Sequence, residues 1–403
     1  MATLSEIQTL LRAEQLDGWL LFDFRGMNPI AAAIAPLPPH AIFSRRWAYW
    51  IPAQGEPQWL VHAIELAPFH DLPTPPRSYV RWGELAAQLA ALLGDAHRIA
   101  MEYSPRGAIP YVSRVDAGTL ELVRGLGVEV VTSANLVQAV EARLTSEQIA
   151  GHRRAAAALL QIKDAAFAHV AEALAAGQRI TEYSVQQWID ARLAEAGLEA
   201  DHGALVAVNA HAADPHYLPT ARHHAAITPG DFLLLDLWAR EDSQPNAIMG
   251  DITWVALCAD RVPRRYQHIA DIVADARDAA VAYIETEMAA GHAVRGCDVD
   301  DVCRSVIERA GYGPYFIHRT GHSLGHEGHG NGAHLDNLET HDTRVLLPDT
   351  AFTIEPGIYL PGDFGVRLEI DVLVTAHGIE ITTLPLQREI VALCRETGTQ
   401  VDR

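Results

Sequence analysis

The sequence has few cysteines, and their spacing excludes the sites that cysteine usually builds. The 403 residues include four of them, Cys258, Cys297, Cys303 and Cys394, without the close paired spacing of a zinc site. Four thiols are also too few for a disulfide framework in a chain of this length. We therefore expect buried thiols and a reducing, cytoplasmic compartment.

Long apolar runs and an excess of positive charge are also missing. The most apolar stretches, such as DFLLLDLWA, are interrupted by acids well before the roughly 18 residues that a membrane-spanning helix needs. The first residues, MATLSEIQTLLRAEQ, are typical of an amphipathic helix and not of a signal peptide. The chain carries 51 acidic and 31 basic residues, and its net charge of -20 repels phosphate backbones and anionic lipids. We expect neither nucleic acid nor a membrane as a partner.

The length and the order of the predicted elements indicate two domains. A chain of 403 residues is long for one hydrophobic core. Residues 1–140 alternate helix-periodic segments with strand-like ones such as DGWLLFDF and RRWAYWIP, which predicts an α/β domain. A capping box at Thr145 and Gln148 begins a long alanine-rich helix, so a second domain is predicted over 145–403. Its helices interleave with hairpin-like strands, which favours an α+β sheet over a doubly wound parallel one.

Four strand-like segments of the second domain each carry a carboxylate where the pattern predicts burial. They are Asp236 in FLLLDLWA, Asp251 in GDITWVAL, Glu355 in FTIEPGIYL and Glu369 in VRLEIDVLV. For each acid alone a solvent-facing position is the simpler explanation, and it is weakest for Asp236, which interrupts an apolar run. A buried acid needs a partner, because removing water from a charge is costly. Arg367 is the only arginine within these strands, so divalent cations are the more economical partners.

The segment HRTGHSLGHEGHG, residues 318–330, holds several of the chain's 20 histidines between glycines. A polar surface loop would explain it, but imidazole is also the commonest neutral metal ligand and a proton carrier near neutral pH. Four carboxylates and one imidazole balance two divalent cations, and this mixture of oxygen and nitrogen favours manganese, cobalt, zinc or iron over calcium. Two such ions acidify a water molecule and polarise a carbonyl group, which is the chemistry of amide hydrolysis.

The motifs HRTGHSLGHEGH, TIEPGIY and GVRLEIDVLVT follow one aspartate in an apolar strand and a second in GDIT. In this order they resemble the pita-bread metallopeptidases, the family of Xaa-Pro dipeptidases, aminopeptidase P and methionine aminopeptidase. The resemblance extends from residue 145 to residue 390, and the preceding domain is similar to that of the creatinase and prolidase branch. It implies an α+β fold class, in which a pita-bread catalytic domain follows a smaller α/β creatinase-type domain.

The resemblance also implies a metal site, a substrate class and an assembly. The cofactors would be two divalent metal ions, manganese first, with cobalt or zinc as alternatives. The partners would be short proline-containing peptides and a second copy of the chain, in a homodimer. One metal ion would be bound by Asp236, the other by His322 and Glu355, and both would be bridged by Asp251 and Glu369.

Catalytic roles follow from the same resemblance. His318 and His329 would contact the scissile carbonyl and the developing oxyanion, and Glu355 would assist proton transfer. His216, in DPHY, would lie near the leaving group. Arg367 would either hold Glu369 in place or bind the carboxylate of a short peptide.

Some residues depart from the family pattern or lack a role in it. The segment REDSQPNAIM lengthens the connection between Asp236 and Asp251, and we expect it to change the loop and not the ligands. His326 replaces a usual apolar residue and Gly330 a usual acid, so the wall of the pocket is expected to differ. We interpret His326 and His334 as polar loop residues.

Three hypotheses for function remain at this point. The first is a dinuclear metallopeptidase that hydrolyses the Xaa-Pro bond, as a dipeptidase (prolidase) or, on longer peptides, as aminopeptidase P. Proline lacks an N–H and has a fixed φ, so sites built for ordinary extended backbone bind an Xaa-Pro bond poorly. The second is a metal-free, creatinase-like amidinohydrolase, and the third is a catalytically silent binding protein. The complete ligand set argues against both of these.

Overall fold

The computed structural model describes residues 2–38 and 41–394. The chain forms two compact units, Met1–Arg143 (unit 1) and Leu144–Arg403 (unit 2). Within the described ranges, no helix is both long enough and apolar enough to cross a membrane.

Unit 1 is organised around one six-stranded sheet. Its helices and strands are α1 (Leu4–Ala13), β1 (Gly18–Phe24), α2 (Pro29–Ile34), β2 (Arg46–Pro52), β3 (Gln58–His62), β4 (Arg77–Tyr79), α3 (Trp82–Leu93), β5 (Arg98–Met101), α4 (Ala117–Arg124), β6 (Glu129–Thr132) and α5 (Ala134–Glu141). The strand order is β4-β3-β2-β1-β5-β6, with β1 antiparallel to β2 and parallel to β5.

The inner strand β1 is covered on both faces because its side chains are apolar on both. Trp19 and Leu21 pack into one apolar cluster, whereas Leu20 and Phe22 pack into another. Alternate residues of a strand point to opposite faces, so each cluster covers one side of the sheet. Burial on both faces is typical of a sheet between helices, and the α/β arrangement predicted for this part of the chain is observed.

A buried carboxylate follows β5 in unit 1. Glu102 has no exposed surface. Trp19 Nε1 donates a hydrogen bond to Glu102 Oε1 (2.6 Å), Asn28 Nδ2 donates to Oε2 (2.7 Å), and Ser133 Oγ donates to Oε1 (3.2 Å). Burial nevertheless raises the pKa of Glu102 to about 7, because desolvation outweighs the three hydrogen bonds that favour the charged form.

Unit 2 carries the longest helices and several small sheets. Its helices and strands are α6 (Ser146–Ala175), β7 (Ile180–Thr181), α7 (Glu182–Glu195), β8 (Leu198–Glu199), β9 (Leu205–Val208), β10 (Ala226–Ile227), β11 (Phe232–Glu241), β12 (Gly250–Leu257), α8 (Arg264–Ala289), α9 (Gly296–Arg309), β13 (Ala351–Ile354), β14 (Gly357–Leu360), β15 (Phe364–Arg367), β16 (Ile370–Thr375), β17 (Gly378–Ile381) and β18 (Val391–Ala392). The capping box predicted at Thr145 and Gln148 is present at the start of α6.

The antiparallel hairpin of β11 and β12 is the centre of unit 2. It belongs to a sheet of order β18-β12-β11-β8, and β9 also pairs with β11. Leu233 and Leu235 face an apolar cluster that includes α6 and α7, and Phe232 and Leu234 face one that includes α8 and α9. Asp236 continues the row of Phe232 and Leu234, so it points into the interior of unit 2.

Two segments expected to be single strands are each divided in two. AFTIEPGIYL forms β13 and β14, which are separated by Glu355 and Pro356, and GVRLEIDVLVT forms β15 and β16, with Glu369 in the gap. Proline has no N–H for a strand ladder. The N–H of Glu369 donates instead to Thr253 O of β12 (3.2 Å). The expectation of continuous strands was wrong, and both glutamates lie where the ladders stop.

We predict that the stability of unit 1 depends on pH through Glu102. Its pKa is raised in the folded state, so its stabilising contribution is complete below about pH 4.5 and is lost as the pH rises through about 7. Between these limits wild type should lose about 3 kcal/mol of unfolding free energy relative to Glu102→Gln, whose side chain does not titrate. Urea unfolding at both pH values measures this difference, with hydrogen exchange of β1 peptides assigning the transition to unit 1. A difference between the two proteins that does not change with pH would contradict the prediction.

Candidate metal centre

The β11–β12 hairpin places Asp236 and Asp251 on one face. Asp236 is the cross-strand partner of Thr253, and Asp251 is the partner of Trp238. Cross-strand partners share a face, as do residues two apart on a strand, so the two aspartates are diagonal neighbours. Each is only 8% exposed. The burial predicted from the apolar pattern is confirmed for both.

Glu369 and Glu355 lie near the two aspartates. Glu369 is in the gap between β15 and β16, and Glu355 is in the gap between β13 and β14. Glu369 is 4% exposed, and Thr253 Oγ1 donates a hydrogen bond to Glu369 Oε2 (2.6 Å). Glu355 is partly exposed, and its N–H donates to Thr320 O (2.8 Å). The latter bond joins the end of β13 to the histidine-rich segment, so one glutamate is held by the hairpin and the other by the histidine segment.

His322 is the histidine that meets the carboxylates. Its Nε2 lies 3.7 Å from Asp251 Oδ2 and 3.6 Å from Glu355 Oε1. Ligand atoms of Asp251, His322 and Glu369 all lie within 4.8 Å of one another. Gly321 is required beside it, because a Cβ there would lie 1.9 Å from Thr353 O. The structure thus brings together the histidine and the acids that the sequence singled out.

The segment that carries these histidines is irregular but well anchored. Residues 316–350, all within the described part, contain no helix or strand. Backbone hydrogen bonds join the segment to β13, such as Thr353 N–H to His322 O (2.9 Å), and fully buried aspartates add side-chain bonds. Asp300 Oδ1 accepts from both the N–H (3.0 Å) and Oγ1 (2.6 Å) of Thr320, and Asp342 Oδ2 accepts from the N–H of His334 (2.9 Å). The position of His322 therefore depends on carboxylates that lie outside the cluster itself.

The electrostatics of the cluster disfavour its own negative charge. Burial, followed by repulsion from neighbouring carboxylates, raises the pKa of Asp251 and of Glu369 well above the usual range. Burial also raises the pKa of Glu355 to about 7. The pKa of His322 is lowered well below its usual value, chiefly by burial, so its imidazole is neutral and can act as a ligand.

The hydrogen bonds of the Asp236 carboxylate indicate whether these residues fit a metal ion. Arg367 Nη2 donates a hydrogen bond to Asp236 Oδ2 (2.5 Å). Burial still raises the pKa of Asp236, because desolvation outweighs the attraction of the guanidinium. Its other oxygen, Oδ1, is buried and has no hydrogen-bond partner among the described residues. A cation would satisfy that oxygen and balance the surplus carboxylates, so the donor set fits divalent metal ions.

Tyr359 links His318 to Arg367, a contact that sequence reasoning missed. His318 Nδ1 lies 2.7 Å from Arg319 O, so Nδ1 carries the proton and Nε2 accepts from the Tyr359 hydroxyl (2.7 Å). Arg367 Nη1 also donates to the Tyr359 oxygen (3.1 Å). Burial and the charge of Arg367 lower the pKa of His318 to about 3, so the ring is neutral. Tyr359 ends the motif TIEPGIY, and the motif was the available signal.

His329 and His216 lie on the open side of the cluster. Both are exposed, and the ring of His329 is 4.3 Å from that of His322. Arg319 Nη2 lies 3.3 Å from His329 Nδ1. Desolvation, followed by the charge of Arg319, lowers the pKa of His329 to about 4. The loop of His216 is tied to Arg367, whose Nη1 donates to Pro215 O (3.4 Å).

The two histidines left without a role differ from each other. His326 is exposed, as expected, and its Nδ1 lies 3.1 Å from Ala247 O in the lengthened connection. His334 lies in the irregular segment, as expected of a loop residue, but it is fully buried. Its Nδ1 accepts a hydrogen bond from the N–H of Ser323 (3.0 Å), which follows His322. The segment folds back on itself there, a contact that spacing along the chain does not reveal.

The lengthened connection is packed against the histidine segment. Arg240 forms ion pairs with Glu199 and Asp201 (both 2.9 Å) and donates to His326 O (2.8 Å). Met249 N–H donates to Gly325 O (3.0 Å). The added residues therefore leave the register of Asp236 and Asp251 intact, as the sequence predicted.

Asp371 is a further residue that sequence reasoning missed. It is fully buried, and its Oδ2 accepts a hydrogen bond from the N–H of Asp251 (2.9 Å). His152 Nε2 lies 3.9 Å from the same oxygen. The alternation of GVRLEIDVLVT places Asp371 two residues after Glu369, which was the only signal. Its hydrogen bond to the Asp251 N–H fixes the backbone of that candidate ligand.

The fold of the whole chain is similar to solved metallopeptidase structures. It is similar to dipeptidase PepE from Mycobacterium ulcerans with a TM-score of 0.68 and 22% identity, over 97% of both chains. It is similar to an Xaa-Pro dipeptidase from Bacillus anthracis (TM-score 0.59, 22% identity, 96% of this chain and 98% of the other). An X-Pro aminopeptidase from Thermotoga maritima gives a TM-score of 0.59 and 21% identity, over 97% of this chain and all of the other (100%). These likenesses confirm the predicted fold class, α+β with a pita-bread unit after a smaller α/β unit.

Sequence comparison identifies the family. An uncharacterized peptidase of Staphylococcus saprophyticus is 33% identical over 205 residues, which are 51% of this chain and 53% of that protein. One from Staphylococcus aureus strain USA300 is 31% identical over 205 residues, with the same shares. The matches thus span about half the length of these curated relatives. The model of metallopeptidase family M24 matches residues 152–376, more than half of the chain. The chain therefore belongs to metallopeptidase family M24.

Proposed function

We propose that this protein hydrolyses the Xaa-Pro bond at the amino terminus of short peptides, most readily in dipeptides, as a prolidase. The alternative within the same chemistry is aminopeptidase P, which acts on longer peptides. The observation that carries the proposal is the cluster of four carboxylates, three of them buried, with one neutral imidazole. The similarity of the fold to that of an Xaa-Pro dipeptidase and an X-Pro aminopeptidase supports the choice of bond.

The cluster would hold two divalent ions, with manganese proposed first and cobalt or zinc as alternatives. Bound there, such ions polarise the scissile carbonyl and lower the pKa of a water molecule. One ion would be held by Asp236, the other by His322 and Glu355, and both by the bridging side chains of Asp251 and Glu369.

The surrounding residues would orient the peptide and carry the proton. Glu355 is partly exposed beside His322, so its carboxylate can accept a proton at Oε1 or Oε2 and pass it to the leaving nitrogen. His329, at the open side, would donate to the scissile carbonyl oxygen. His318 would do the same in its other tautomer, with the proton on Nε2 and the bond to the Tyr359 hydroxyl given up, and His216 would face the leaving proline. Arg367 is committed to Asp236 and Tyr359, so we assign it to positioning the ligands.

The assembly and the compartment are also proposals. We infer a creatinase-type domain over residues 1–140 and a catalytic domain over 145–403, because the solved relatives cover nearly all of this chain. A homodimer is proposed on the family resemblance alone. A cytoplasmic location is supported by free thiols at the four cysteines, three of them buried.

Metal-dependent turnover of defined peptides tests the proposal. The purified protein is stripped with a chelator, reloaded with manganese, and given Ala-Pro and Ala-Pro-Ala. We expect cleavage of Ala-Pro that disappears on stripping and returns on reloading, because the carboxylate cluster needs cations. Faster cleavage of Ala-Pro-Ala would assign the protein to aminopeptidase P. If neither peptide is cut at any metal loading, the peptidase proposal fails.

A pair of substitutions tests the assignment of ligands. Glu369→Ala should lower turnover of Ala-Pro more than about 100-fold, because even residues that only orient metal ligands change activity by about 10–100-fold. His326→Ala, in the same irregular region but directed at Ala247 O, should stay within about twofold of wild type. Manganese binding measured by titration calorimetry should separate the two variants in the same way. Comparable losses in both would mean that the histidine segment has been misassigned.

A further inference from the structure

Trp238 is an aromatic residue beside the two aspartates of the cluster. It is the cross-strand partner of Asp251 in the hairpin. The Cβ atoms of such partners are about 4.5–5.5 Å apart. Trp238 also lies two residues after Asp236 and therefore on the same face of β11. An indole ring thus stands next to the candidate metal centre, on the side where the ligands point.

The indole of Trp238 packs against other side chains, but its N–H group and part of its surface remain available for contact. The residue is partly exposed and packs against two apolar clusters, one of which contains Leu324 from the histidine segment. His202, an exposed residue, makes an edge-to-face contact with the ring at 6.3 Å. Within residues 2–38 and 41–394, Nε1 of Trp238 has no hydrogen-bond partner. Tryptophan N–H groups at buried positions usually have one, so this edge is open to solvent or to a ligand.

Trp254 shows the same side chain in a packing role. It lies on the opposite face of the hairpin, packed into the cluster of α6 and α7. The ammonium of Lys163 lies 3.5 Å from its ring centroid, so its face is occupied by a cation. Trp238 has no such cation among the residues that the structure describes. The difference indicates a ring held ready for contact with something outside the protein.

The two ends of the cluster are chemically different. At the level of Asp236, Arg367 donates to Pro215 O and so holds the loop of His216 at that end. Trp238 lies at the level of Asp251, two cross-strand pairs further along the hairpin. With His216 at the leaving proline, as proposed above, the residue on the other side of the scissile bond would extend towards Asp251 and Trp238.

We propose that Trp238 forms a wall of the pocket for the Xaa side chain and makes the enzyme favour apolar, above all aromatic, Xaa residues. The inference rests on the proposed function and names its substrate class. An indole offers a large flat surface and an edge-to-face contact that an aromatic Xaa side chain can use and a methyl group cannot. The ring is also held in one position, because it packs against two apolar clusters.

Binding of free amino acids tests the role of Trp238 without requiring catalysis. Hydrolysis of an Xaa-Pro dipeptide releases the Xaa residue as a free amino acid, so such amino acids are expected to occupy the same pocket. Titration calorimetry gives the dissociation constants of phenylalanine and alanine for manganese-loaded wild type and for Trp238→Ala. We expect the substitution to weaken phenylalanine binding about tenfold and alanine binding less than about twofold, because only the aromatic side chain loses a contact. The ratio of kcat/KM for Phe-Pro over Ala-Pro should fall by a similar factor.

Two further variants control for general damage. Trp188→Ala removes a tryptophan of similar exposure from α7, where it stacks on His169 (4.8 Å), and should leave both dissociation constants unchanged. Trp238→Phe keeps an aromatic ring on the wall and should recover much of the phenylalanine binding that Trp238→Ala loses.

The outcomes separate the inference from the proposed function. Equal weakening for phenylalanine and alanine would overturn the inference, because Trp238 would then act on the metal centre or the fold. Unchanged phenylalanine binding in Trp238→Ala, or a wild type that binds neither amino acid, would overturn it as well. A wild type that binds phenylalanine through Trp238 but cuts no Xaa-Pro peptide would uphold the aromatic pocket and refute the peptidase.

Discussion

The main constraint on unit 2 is the need to neutralise several carboxylates that lie close together in its interior. Asp236, Asp251 and Glu369 are each at most 8% exposed and lie with Glu355 around a neutral imidazole. One guanidinium, that of Arg367, bonds to the set, and it cannot balance four carboxylates. Like charges so close in a low-dielectric interior raise one another's pKa, and the cluster either keeps protons or takes cations. A fold that builds such a cluster is one that divalent ions stabilise.

Each element near the cluster contributes to this arrangement. The register of β11 and β12 sets two aspartates diagonally on one face, and Thr253 between them bonds to Glu369. The gaps between β13 and β14 and between β15 and β16 release two glutamates from strand ladders so that they can turn inward. The histidine segment forms no regular strand, and it is held by backbone hydrogen bonds to β13 and by buried aspartates such as Asp300. Regular structure supplies the rigid side of the site, and the irregular segment supplies its imidazoles.

The sequence predicted the ligand candidates because their chemistry conflicts with their surroundings. An acid inside an apolar run, such as Asp236, is visible in one dimension, and so is a glycine-rich cluster of histidines. The sequence could not predict the features of the site that depend on contacts between segments far apart along the chain. Tyr359 meets His318 across 41 positions, and Asp371 meets the N–H of Asp251 across 120. The burial of His334, which was interpreted only as a polar loop residue, accompanies the folding of the segment back onto Ser323. The strand break at Glu369 was likewise invisible, since Leu368 and Ile370 on either side are apolar, whereas Pro356 was an available signal for the break at Glu355.

Anomalous scattering from crystals of manganese-loaded protein, recorded at the manganese absorption edge, tests the central claim most directly. The account predicts two peaks inside the cluster, one beside Asp236, the other beside His322 and Glu355, with Asp251 and Glu369 between them. A cluster without a peak, in crystals that show bound manganese elsewhere, would contradict it. The buried carboxylates would then have to be neutralised by protons, and the chemistry assigned to unit 2 would have no basis.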